Sequence, residues 1–196
     1  NEYVCDCSDL DDVIVFAEDG RYIITKVSDK AFFAQGITYI GVFRRGDERT
    51  IYNVLYRDGD KGPNMMKRCA ISAITRDKEY NITKGNPKSR ILYMSVNPNG
   101  EAEVLKVIFR QRAKLKRAIV DLDFSTLAIK GRASQGNIFS RYPIHKILLK
   151  AKGASTLAGQ QIWYDEDVQK LNDSGHGRLL GEFEGDDKII VFTAKD

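Results

Sequence analysis

The side chains with the clearest chemical use in this chain are its lysines and arginines, and the chemistry that suits them is the holding of phosphate. A lysine in a strand-like apolar setting returns about every 40 residues, as Lys26 after Tyr22-Ile-Ile-Thr, Lys67 after Met65-Met66, Lys106 between Leu105 and Val107, and Lys146 before Ile147. Successive lysines lie 41, 39 and 40 residues apart. Around them come clusters: Arg44 and Arg45 ahead of Gly46, Arg68 beside Lys67, and then Arg110, Arg112, Lys114, Lys116 and Arg117, the densest group. Lys130, Arg132 and Arg141 complete the set. Such cations position a protein on a phosphate backbone without reading base sequence.

The distribution of charge points the same way. Residues 1–20 hold seven acids and no base, residues 21–152 carry a net +16, and residues 153–196 hold nine acids against four bases. A middle so basic, flanked by acidic ends, favours a polyanion as partner. One cation per repeat would trace a curved track, and a duplex bent along it costs about 1–6 kcal/mol for a 40–90° bend, so many weak contacts are needed to offset the bend. The competing reading is that the periodic lysines only guard strand edges against pairing with another chain.

Bond-making chemistry finds no constellation. The chain has no Gly-rich phosphate loop ending in Lys-Ser/Thr, no His-Glu-x-x-His and no Gly-x-Ser-x-Gly. Asp121 and Asp123 share a face if they lie on a strand, as a metal or acid/base pair would need, but a solvated turn pair is the better reading. His145 and His176 are the only histidines and neither has an evident partner for nucleophilic work, although His145, just before Lys146, could touch phosphate. Cys5 and Cys7 form a Cys-x-Cys pair without a second pair, and Cys69 stands apart, so reduced thiols are expected and no metal. The fragment is expected to carry no catalytic site and no cofactor of its own.

The elements that must position the cations read as strands. Apolar, β-branched runs begin at Val13, Ile51, Ile91, Leu127, Ile162 and Ile189, and each of the earlier ones is followed by a glycine-containing turn such as Glu18-Asp19-Gly20 or Asn97-Pro98-Asn99-Gly100. Further strands are expected at Ile37 to Phe43, near Tyr80-Asn81-Ile82 and at Ala118-Ile119-Val120. Helix formers compete from Phe109 to Val120, where a strand and a basic loop are expected, and Asp165 to Asn172 could hold one helical turn. Repetition at this spacing predicts an all-β, propeller-like array of about 40-residue blades, five or six in number, forming a single domain over 1–196. No apolar run is long enough to cross a membrane as a helix. The chain starts at Asn1 and breaks off at Asp196, from which a piece of a longer polypeptide is expected.

The segment Ile129-Lys-Gly-Arg-Ala-Ser-Gln-Gly-Asn-Ile138, followed by Arg141-Tyr-Pro-Ile-His-Lys-Ile147, resembles a repeat of the C-terminal domain of bacterial type IIA topoisomerase A subunits, gyrase and topoisomerase IV. The resemblance implies a β-pinwheel, whose blades exchange strands, with double-stranded DNA bound along a basic outer rim. It also implies a DNA-cleaving region upstream, an A-subunit dimer, and a B subunit that uses ATP and magnesium, in an enzyme working in the cytoplasm on the bacterial chromosome. The gyrase signature Gln-Arg-Arg-Gly-Gly-Lys-Gly has no intact copy here; Arg44-Arg45-Gly46 and Gly131 to Gly136 echo it only in part. A topoisomerase IV-like subunit is therefore expected over a gyrase that wraps DNA. The alternative from another class is a propeller scaffold that binds proteins.

Overall fold

Fifteen strands account for nearly all the regular structure. The protein is described by a computed structural model over residues 3–28, 30–33, 35–113, 115–155 and 159–183. The strands are β1 (Asp12–Ala17), β2 (Arg21–Lys26), β3 (Ile37–Phe43), β4 (Ile51–Arg57), β5 (Asn64–Ala70), β6 (Glu79–Asn81), β7 (Arg90–Asn97) and β8 (Val104–Phe109). There follow β9 (Ile119–Asp123), β10 (Ile129–Gly131), β11 (Asn137–Ser140), β12 (Ile144–Ala151), β13 (Gln160–Asp165), β14 (Lys170–Asn172) and β15 (Arg178–Phe183). The one helical element among the described residues is a 3-10 turn at Phe124–Thr126, started by Asp123, whose carboxylate accepts from the Ser125 N–H. The expected all-β class is what the chain adopts.

Four sheets share one plan. Each begins with a hairpin, β1/β2, β4/β5, β8/β9 and β13/β14, and each adds a third strand against the first of the pair: β3, β7, β12 and β15. In two sheets a fourth position, beside the second hairpin strand, is filled from the next stretch of chain. Strand β6 returns to pair with β2, and β10 and β11 both pair with β5. All pairings are antiparallel except β10 with β5. Among the described residues no strand takes the corresponding place beside β9, because only residues 173–177 lie between β14 and β15.

This plan revises the reading of the repeat. The runs at Val13, Ile51 and Ile162 do belong to strands that open hairpins, but Ile91 lies in β7, a third strand, and Ile129 lies in β10, a donated one. The described residues form four sheets, none closed; the expected five or six blades also drew on the run at Ile189. The lysine period also crosses unlike positions, with Lys26 on β2, Lys67 on β5, Lys106 on β8 and Lys146 on β12. Residues 110–113 and 115–118 lie in the loop joining β8 to β9, and residues 166–169 form a hairpin turn in place of a helical one. The strand expected at Ile189 lies outside the described residues.

Packing follows from which faces are apolar. Strand β4 is buried along both faces, with Tyr52, Val54 and Tyr56 on one and Leu55 on the other. The first face meets Ile14, Phe16, Tyr22 and Ile24 of the β1/β2 hairpin, and the second meets Leu105, Val107, Leu122 and Phe124. The second sheet is therefore sandwiched between the first and the third. Each fully buried aliphatic or aromatic side chain contributes about 1.5–3 kcal/mol.

Candidate nucleic-acid interface

A shared orientation of the first three sheets decides where the cations go. The β1/β2 turn and the β4/β5 turn face the same way: Arg90, opposite Arg57 in the ladder, places its Nη2 2.9 Å from Glu18 Oε2. The β8/β9 loop joins them, since Asn64 Nδ2 donates to Tyr142 O at 2.7 Å and the Arg110 N–H donates to Pro143 O at 2.9 Å. One end of this stack is thus built of hairpin turns, and the other end of strand starts.

The expected set divides between these ends and the interior. Lys26, Arg44 and Arg45 are exposed at the end away from the turns, where Asp12 pairs in the ladders with both Lys26 and Phe43. Arg110, Arg112, Lys116, Arg117 and Arg141 are exposed at the turn end of the third sheet. Lys114 belongs to the same loop by sequence but lies outside the described residues. Lys106 and Lys146 are exposed on the outer face of the third sheet, diagonal neighbours by register, since Leu148 lies opposite Lys106 and Ile108 opposite Lys146. His145 is exposed beside them, and Asp121 on that face pairs with Lys150. Lys130 is exposed on β10 at the edge of the second sheet.

Lys67 and Arg68 point inward, contrary to a rim position. Lys67 is 3% exposed, and its Nζ donates to the carbonyls of Arg132 at 2.9 Å and Ser134 at 3.1 Å. Burial pushes its pKa down. Arg68 is 2% exposed; its Nε donates to Asn53 Oδ1 at 3.1 Å and its Nη2 to Gly100 O, and burial lowers its pKa as well. Asn53 also donates to Glu101 O, and buried Glu103 accepts from the Tyr93 hydroxyl at 3.0 Å and from Ser95, so this polar set ties the second sheet to the third.

The segment from Gly131 to Gly136 is held down along its length. Lys67 takes two of its carbonyls, Lys84 Nζ donates to Ala133 O at 3.1 Å, and Arg132 Nε donates to Ala73 O at 3.2 Å. The Arg132 guanidinium lies 4.2 Å from the centre of the Tyr80 ring. A Cβ on Gly136 would sit 2.8 Å from the Met66 carbonyl oxygen, which leaves room only for glycine. These residues form a strap that carries β10 and β11 across to β5. Its arginine belongs to the joint between sheets.

Neutralisation separates the remaining cations. At the turn end, the first two sheets pair Arg21 with Asp19 and Glu79, Arg90 with Glu18, and Lys88 with Asp60, while exposed Lys61 makes no ion pair among the described residues. None of Arg110, Arg112, Lys116, Arg117 or Arg141 makes an ion pair among the described residues. Lys26, Arg44, Arg45, Lys106, Lys130 and Lys146 are likewise without ion pairs among the described residues, but the turn end of the third sheet gathers the densest such group. Sequence reasoning missed the aromatic residues beside it, where the Phe109 ring lies 6.0 Å from Phe139 and 6.1 Å from Tyr142. The interleaving of Phe139, Arg141 and Tyr142 was the available signal.

Among the described residues no three His, Cys, Asp or Glu side chains gather as a metal site, and Cys5 and Cys7 are exposed free thiols. No helix of the described residues is long and apolar enough to cross a membrane. A family model described as the topoisomerase C-terminal domain of Bacteroidota matches residues 1–152. No curated protein and no solved structure matches the chain. The match covers the first three sheets and stops one residue past β12, so the β13–β15 sheet lies beyond it.

Proposed function

The chain belongs to the family of bacterial topoisomerase C-terminal domains, and from that membership we propose that it holds and bends double-stranded DNA for a type IIA topoisomerase A subunit of the topoisomerase IV kind. In this reading the exchanged sheets are blades of a pinwheel, and the A-subunit dimer and the ATP- and magnesium-using B subunit supply the chemistry. The observation that carries it is the cluster of five exposed cations, Arg110, Arg112, Lys116, Arg117 and Arg141, at one end of the third sheet with no ion pair among the described residues, beside sheets where Arg21, Arg90 and Lys88 are paired with acids. The strap favours topoisomerase IV over gyrase. Of the two partial echoes of the gyrase signature, Gly131 to Gly136 is fastened by Lys67, Lys84 and Tyr80, so it is not a free loop to fix a long DNA wrap, and exposed Arg44-Arg45-Gly46 keeps only three residues of the seven.

Duplex binding followed by fluorescence anisotropy over a salt series tests the DNA reading. Each phosphate neutralised contributes about 0.9 to the slope of log affinity against log salt, so R112E/K116E/R117E should flatten the slope by roughly 2–3 and weaken all sequences alike. An unchanged slope and affinity would leave the protein-scaffold reading in its place. The choice of parent enzyme is tested by reconstituted A and B subunits with ATP on relaxed plasmid. Decatenation and relaxation without negative supercoiling are expected. Efficient supercoiling that depends on this domain would favour Arg44-Arg45-Gly46 as a working gyrase loop.

A further inference from the structure

Beside the unopposed cations runs a groove of about 440 Å³, lined by Phe109, Leu115, Val120, Phe139 and Tyr142, with Lys116 and Arg117 on its wall. That volume falls within the roughly 300–1,000 Å³ of pockets that take small molecules. The floor is aromatic: Phe109 and Phe139 stack at 29° between planes, and Tyr142 meets Phe109 edge-on at 61° while remaining 37% exposed. A backbone-holding function needs cations alone. An apolar, aromatic floor beneath those cations is what a base requires once it has left its stack.

The other exposed apolar site lacks this combination. A cavity of about 170 Å³ on the first sheet, lined by Phe32, Phe33 and Ile37, has Arg21 and Glu79 at its edge, and those two charges are paired with each other. It offers no net attraction to an anion. At the groove, charge and aromatic surface coincide.

We propose that the groove between the β8/β9 loop and the β11–β12 turn receives an unstacked base from the duplex held at the third sheet. The inference rests on the DNA-holding function proposed above. Arg117, Lys116 and Arg141 hold the phosphates on either side, and the base stacks on Tyr142 and the Phe139 edge. A duplex that gives up one stacked step bends more readily there, so the groove makes the domain select DNA that is already kinked or unpaired.

The test compares a short intact duplex with the same duplex carrying two adjacent mismatched pairs, one of them containing 2-aminopurine. Base–aromatic stacking corresponds to about fivefold or more in affinity per base. The mismatched duplex should bind at least that much tighter, with 2-aminopurine fluorescence quenched on binding. Y142A should abolish both the preference and the quenching, because the base loses the ring on which it stacks. L115K, which charges the opposite wall at a half-buried position, should abolish the preference as well. Equal affinity for the two duplexes, or a preference that survives Y142A, overturns the inference and leaves the DNA-holding function standing. Loss of all duplex binding at low salt overturns that function too. Saturation of the groove by an apolar peptide, without quenching by DNA, would mark it as a protein contact and equally refute the proposal.

Discussion

Replacing Lys67 by methionine separates an inward lysine from a rim lysine. The side chain keeps its length and loses its charge, so the carbonyls of Arg132 and Ser134 lose donors at 2.9 and 3.1 Å. Hydrogen bonds to a charged group are worth about 1.5–3 kcal/mol each, and relief of the buried ammonium's desolvation returns part of that. The net expected loss is about 2–3 kcal/mol, which at this chain length lowers Tm by roughly 4–12 °C. The loss should fall on the strap, so protection of the β10 and β11 amides in hydrogen exchange should drop further than that of β1 and β2. Binding should keep its salt slope at a temperature where the variant is folded. A variant with unchanged Tm and a slope reduced by about 0.9 would show Lys67 meeting phosphate and refute the reasoning.

Gly136→Ala should cost about 1–3 kcal/mol in a chemical-denaturation midpoint, because its Cβ would press on the Met66 carbonyl and the β-ladder cannot yield there. Alkaline stability should fall from about pH 10 upward: burial pushes Tyr22 and Tyr93 up to about 12, with Glu103 adding to the latter, and also raises Tyr52 and Tyr56. The unfolded chain releases these protons first, so stability present below about 10 is lost as pH rises through the folded values. Cys69, which burial pushes up to about 11, and Tyr39, also raised by burial, act in the same sense, whereas Lys67 and Tyr80, both lowered, act in the opposite one; Tm and tyrosinate absorbance between pH ~9 and ~11 measure the balance. Reversing charge at the exposed turn pair, E166K/D167K, should leave duplex affinity equal or tighter in the same anisotropy assay, since the segment after residue 152 is acidic.

The local elements were legible and their partners were not. Glu18-Asp19-Gly20 between two apolar runs gives the first hairpin, with Gly20 at φ +89°, and Ile37 to Phe43 matches β3 at both ends. The runs at Ile91 and Ile129 have the same composition as hairpin strands, because a buried strand looks alike whatever it pairs with. Its position in a sheet depends on contacts distant in sequence, and that is why apolar spacing alone made Ile91 and Ile129 look like the openings of new units. Lys67 could have been placed correctly. On a strand it shares a face with Met65 and Cys69, both among the most buried residue types, and alternation alone turns it inward. The neutralisation of Arg90 and Lys88 was hidden for the same reason as the pairing, since Glu18 and Asp60 lie far from them in the chain, whereas Asp19 stands two residues from Arg21.

The exchanged strands set an order of assembly during synthesis. The edge of β2 waits for Glu79–Asn81, and the edge of β5 stays uncovered until Asn137–Ser140 has left the ribosome. Each nascent sheet therefore exposes a pairing edge for as long as the next unit takes to be made, and in that interval it is open to association with other chains. Completion passes down the chain from one sheet to the next, so a cut between β5 and β6 would strip the sheet upstream of a strand as well as losing what lies downstream. The smallest piece able to fold as the first sheet folds here must reach past Asn81, well beyond one repeat of sequence.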